Sequence, residues 1–127
     1  MNRPIAATVV ALLLAATGAG AAERLDAIPD RFLGEWRAVS NACADPAGET
    51  WMRISSDRIA FYESEGPVIA VVADGKETLT VTIELSGEGE VWELSRRFRL
   101  SEDQKILSDI SEDSDGFDRH RCPPVTR

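Results

Sequence analysis

Four carboxylates crowd two short stretches of this sequence: Glu63 and Glu65 in Phe61-Tyr62-Glu63-Ser64-Glu65-Gly66, and Glu88 and Glu90 in Ser86-Gly87-Glu88-Gly89-Glu90. Paired carboxylates suit the acid and base steps of sugar hydrolysis, and acids at loop tips can hold calcium, but neither spacing is diagnostic. Asp113-Ser114-Asp115-Gly116 opens like a calcium loop, yet the glutamate that should close it is missing and Cys122 stands in its place. A hairpin turn is the better reading there. The single histidine, His120, sits between Arg119 and Arg121, where two cations oppose its taking a proton, and no serine or cysteine is placed beside it as a nucleophile. No glycine-rich phosphate loop and no basic aromatic face is present. The residues therefore imply no metal and no cofactor, and they favour a binding protein over an enzyme.

The elements that must carry these groups read as strands. From Leu33 onward, turn residues recur every eight to twelve positions with β-branched and aromatic residues between them. The clearest case is Thr78 to Leu85, where Leu79, Val81, Ile83 and Leu85 alternate with Thr78, Thr80, Thr82 and Glu84, giving one buried and one wet face. The Ser86–Glu90 stretch then turns the chain into a partner strand with Trp92, Leu94, Phe98 and Leu100 on one side, and Arg96 at an inward position that asks for an apolar residue. Further strands are expected at Glu35 to Ser40, Trp51 to Ser55, Arg58 to Ser64, Pro67 to Ala73, Lys105 to Ile110 and Phe117 to Cys122. Before them, Leu25 to Phe32, interrupted by Pro29, has room for one helical turn at most. About eight antiparallel strands on short turns predict an all-β, up-and-down barrel that leaves no edge exposed, with a two-sheet sandwich as the competing architecture. If Ile59 and Phe61 face inward, so does Glu63, and a Glu63–Arg96 pair would either line a polar pocket or neutralise two charges at the rim. Trp51, Tyr62, Glu63 and Arg96 are the candidate ligand-binding residues.

Composition sets the compartment and the partners. Residues 1–21 run from Asn2 and Arg3 through an apolar stretch, Ile5 to Ala16, into small residues, the order of a cleavable secretory signal peptide; a retained anchor is the alternative. Residues 22–127 then form one domain, periplasmic or secreted. The chain carries a net charge of −8, and losing Arg3 with the leader makes it −9. Such a surface argues against nucleic acid and against membrane contact once the leader is gone; it suits solubility or a cationic partner, and a monomer is expected. Cys43 and Cys122, the only cysteines, read as a disulfide in an exported chain, with free thiols or a metal pair as the alternatives.

Gly34-Glu35-Trp36, following a short turn at the start of the first strand, resembles the G-x-W opening of lipocalins and related calycin barrels. The resemblance implies that Trp36 closes one end of the barrel beneath an arginine of the last strand, Arg119 or Arg121, with a small apolar or amphipathic ligand held inside. The order of signal, strand, cysteine segment, barrel and final cysteine also resembles small periplasmic inhibitors of lysozyme. That likeness implies a protein-binding barrel directed at a cationic envelope enzyme, acting through the turns at Glu63 to Gly66 and Gly87 to Glu90. The surroundings of Cys43 depart from the inhibitor pattern, so no contact residue transfers.

Overall fold

The computed structural model describes residues 2–4, 21–38, 43 and 49–124; the expected leader falls mainly on residues 5–20, outside them. The regular structure of the described chain is almost wholly strand. β1 (Glu23–Leu25) precedes a 3-10 turn at Asp30–Phe32, and β2 (Gly34–Arg37), β3 (Met52–Ile54), β4 (Arg58–Phe61), β5 (Glu65–Asp74), β6 (Thr78–Gly87), β7 (Glu90–Leu100), β8 (Ile106–Asp109) and β9 (Phe117–Arg121) follow. Each of β2 to β9 pairs antiparallel with its neighbours in sequence, and β9 returns to β2, so eight strands close into an up-and-down barrel. That closure rules out the sandwich. The turn falls within Leu25 to Phe32, where at most one was expected. β1 was not foreseen; three residues are too few to show a period, and they pair only because β5 outruns β4 and offers Val71, Val72 and Ala73 to a further strand.

Alternation explains the interior. Leu79, Val81, Ile83 and Leu85 of β6 are all buried, as the pattern of the segment requires, and the threonines between them are only partly covered. Phe98 and Leu100 from β7, Leu107 from β8, Trp36 from β2, Met52 and Ile54 from β3 and Ile59 from β4 complete the filling, with Ile28 and Phe32 plugging one end from the 3-10 segment. The long strands β5, β6 and β7 form the most extensively paired side of the barrel, with a register shift between Val68 and Ala70 that leaves Ile69 half exposed.

The other side is slighter. Among the described residues β2 and β9 meet over two residue pairs, Trp36 with Arg121 and Arg37 with His120. Here the Cys43–Cys122 disulfide crosses between the chain after β2 and the chain after β9, its Cα atoms 5.5 Å apart. Contrary to expectation, among the described residues closure does not hide every edge: β1 pairs only with β5, β2 leaves Phe117 to Arg119 of β9 without a partner on that side, and β8 leaves part of β7 bare. β8 is four residues long and covers β7 only at Phe98, Arg99 and Leu100, so β7 overhangs it from Glu90 to Ser95.

Candidate functional site

The two ends of the barrel differ in kind. At one end Trp36 is fully buried and its Nε1 donates to the carbonyl of Phe32 at 3.1 Å, tying the first strand to the 3-10 turn. Gly34 enters β2 with φ +131°, a conformation that a side chain would strain. The guanidinium of Arg121 lies 4.2 Å from the Trp36 ring centre and donates to the carbonyls of Arg31, Leu33 and Gln104. Arg119 takes no part in this cap. It lies 4.8 Å from the ring of Phe117 and donates to the carbonyl of Thr50. Burial pushes both arginines below their ordinary pKa; for Arg119 the charge of Asp109 opposes that and the charge of Arg96 adds to it.

At the opposite end, three of the four candidate ligand-binding residues meet. Trp51, Tyr62 and Glu63 line an open groove of about 780 Å³ along the outer rim, with Phe61, Glu65, Glu90 and Val91. The two glutamate-rich stretches, more than twenty residues apart in sequence, thus share one wall. Gly87 brings them together: a Cβ there would stand 2.6 Å from the carbonyl oxygen of Glu63, so only glycine lets the β4–β5 turn lie against β6. Beyond that contact a second concavity, of about 240 Å³, runs between Glu63, Glu88, Glu90 and Trp92. Tyr62, Val91 and Trp92 are among the most exposed large apolar side chains of the described residues, and all three line these two concavities. The Trp51 ring is faced by the guanidinium of Arg53 at 5.3 Å, which also pairs with Glu35. Glu65 is in loose contact with Arg58 at 3.4 Å.

Arg96, the fourth candidate, belongs to another cluster. It occupies the inward position expected of it, opposite Val81, but its partner is not Glu63. Strand β4 ends at Phe61 and the chain turns at Tyr62, so the two-residue period does not carry Glu63 inward, and Glu63 is exposed. The expected Glu63–Arg96 pair is replaced by Asp109 at 3.0 Å and Asp113 at 2.8 Å, each bonded to the Arg96 guanidinium. Burial raises the pKa of Asp109, but hydrogen bonds from the Ser111 hydroxyl and N–H and from Arg96 outweigh it and hold the carboxyl below its usual range. The Asp113–Gly116 turn therefore contributes a largely exposed carboxylate that pairs with the half-buried Arg96.

Sequence reasoning missed Asp109, Ser111, Val91 and Trp92. Asp109 was findable: two residues on from Leu107, it shares the inward face of β8 and stands opposite Phe98, so an acid was due inward near the Arg96 level. Among the described residues no group of three or more His, Cys, Asp or Glu side chains is arranged to hold a metal ion. Comparison of the chain with protein families, with curated proteins and with solved structures returns no match.

Proposed function

We propose that this protein is an exported, non-enzymatic binding module that receives a cationic, amphipathic partner in its rim groove. The observation that carries the reading is the convergence of Glu63, Glu65 and Glu90 with Trp51, Tyr62 and Val91 in one open trough. Carboxylates beside exposed rings present both halves of what a lysine- or arginine-bearing apolar segment needs, charge for its head and flat apolar surface for its stem. A protein surface is favoured over a small ligand held inside the barrel because side chains occupy the interior, an apolar cluster with the Arg96–Asp109 pair beside it, whereas the large concavities open outward. The Arg121 cap over Trp36 supports the lipocalin-like reading of the closed end, with the contents of the barrel replaced by side chains.

A lysozyme, compact and strongly cationic, is the specific partner that the inhibitor resemblance suggests. Titration of the protein into a lysozyme turnover assay at low ionic strength is expected to slow turnover, and the effect to fade as salt is raised. The double variant Glu63→Gln/Glu90→Gln is expected to weaken the effect about tenfold, as the loss of two charge contacts at the groove requires. Binding to neither lysozyme nor a panel of basic amphipathic peptides at low salt would remove the reading.

A further inference from the structure

The overhang of β7 offers more than a rim. Arg97 donates its N–H to Ser111 Oγ and accepts from the Ile110 N–H, both on the β8 side, whereas the Leu100 N–H turns the other way, to the Glu77 carbonyl beside β6. The β6–β7 register is unbroken from Thr78 opposite Arg99 to Gly87 opposite Glu90. Backbone groups two residues apart in such a ladder point the same way. Val91, Glu93 and Ser95 therefore turn their N–H and C=O groups outward on the side where β8 has ended, and no described strand pairs with them.

The side chains along this edge specify what could join it. On the outer face Glu93 stands directly opposite Glu84, a like-charge pair that weakens the hairpin, and neither takes part in an ion pair among the described residues. On the inner face Trp92, 39 % exposed, and half-buried Leu94 leave apolar surface unfinished. Native edges of this length are ordinarily blunted by proline, charged side chains or a bulge; Glu90 to Ser95 has no proline and no bulge, and its charges, Glu90 and Glu93, repel an acidic strand but not a basic one.

We infer that residues Glu90 to Ser95 of β7 accept an added strand from the partner protein: an extended segment that alternates basic residues, opposite Glu93, with apolar residues beside Trp92 and Leu94. The inference rests on the cationic partner proposed above and adds how it docks. Main-chain bonds to Val91, Glu93 and Ser95 give the affinity, and the alternation gives the choice of sequence. A second copy of this chain fits poorly, since antiparallel pairing centred on Glu93 sets glutamate against glutamate in a molecule already strongly negative.

The test uses a blocked eight-residue peptide of alternating valine and lysine, measured at low salt against the wild type, Glu93→Gln and Glu93→Pro. Glutamine removes the charge and keeps the N–H; proline removes both, and because that N–H faces the free edge the β6 ladder stays whole. Glu93→Gln is expected to weaken binding about threefold and Glu93→Pro about thirtyfold, the further tenfold being the lost backbone bond and its register. Amide exchange is expected to slow at Val91, Glu93 and Ser95 when peptide is added. Equal losses in the two variants, with no protection at those amides, would overturn strand addition and leave a cationic partner held by charge alone. A wild-type protein that ignores the peptide and lysozyme alike would overturn the function reading itself. Protection of the same amides without peptide, in a dimer seen by sedimentation, would assign the edge to self-association and overturn the inference.

Discussion

Two arginines of one strand face, Arg119 and Arg121, could each have covered Trp36, and nothing in their spacing separates them. Geometry does, because Trp36 pairs with Arg121 across the β2–β9 seam and Arg119 lies further along the strand, toward Thr50 and Phe117. Arg121→Ala removes a stacked cation and three donors to main-chain carbonyls, so it is expected to cost about 2 kcal/mol in urea unfolding. Arg119→Ala, with one such bond, is expected to cost less than half of that, and a reversed order would remove the cap from the account. A second residue-level consequence concerns acid. The folded pKa of Asp109 lies below its unfolded value, so its stabilising contribution is present above about pH 4 and is lost as pH falls through the folded value. The unfolding midpoint of the wild type is expected to drop between pH 5 and pH 2.5, and that of Asp109→Asn to drop less. Asp103, held low by the Ser101 hydroxyl and the Lys105 N–H, titrates in the same window, so the slope shrinks without vanishing. The candidate residues were legible by type more than by place. Trp51, Tyr62 and Glu63 belong together, whereas Arg96 was assigned the wrong carboxylate because periodicity cannot register where a strand stops.

At the level of elements, most of the barrel could be read directly. Thr78 to Leu85 was visible because one face of β6 is buried and the other is wetter, and burial is what period two records; its partner β7 buries its inner face fully only at Phe98 and Leu100. Strand ends were less legible: β5 extends to Glu65 and Asp74 beyond the expected Pro67 to Ala73, since its added residues pair through the main chain irrespective of side-chain type. The shortest joint among the described residues, the two-pair contact of β2 with β9, was invisible in the sequence, although the cysteines that brace it were not. A bridge closing 79 residues restricts the unfolded chain by about 4 to 5 kcal/mol in the chain-entropy model. That is comparable to the whole stability of many small domains. The double variant Cys43→Ser/Cys122→Ser is therefore expected to lose most of its resistance to urea. In the part that remains folded, the amides of Arg37 and His120, which face each other across that seam, should be the first to exchange. Opening that begins instead in the β6–β7 hairpin would show that the seam is braced by something other than the disulfide.

For the whole molecule, excess negative charge and a filled interior act together. With the inside occupied mainly by apolar side chains, the proposed recognition falls to the outside of a chain that carries 22 acidic against 14 basic residues. Like charges across the β6–β7 hairpin, and at the groove between Glu63, Glu65, Glu88 and Glu90, repel one another in the free protein. Salt screens that repulsion, and it equally screens attraction to a cationic partner, because both act between exposed charges within about a Debye length. Ionic strength should therefore have opposite effects on the two states. Raising salt from about 10 mM to about 300 mM is expected to increase the melting temperature of the protein alone by a few degrees while weakening its complex with a basic partner by at least about tenfold. Differential scanning fluorimetry and titration calorimetry on one preparation read both quantities. If affinity held constant or rose with salt, apolar burial would outweigh the glutamates, and the groove would have to be reassigned from a charge-guided surface to a hydrophobic one.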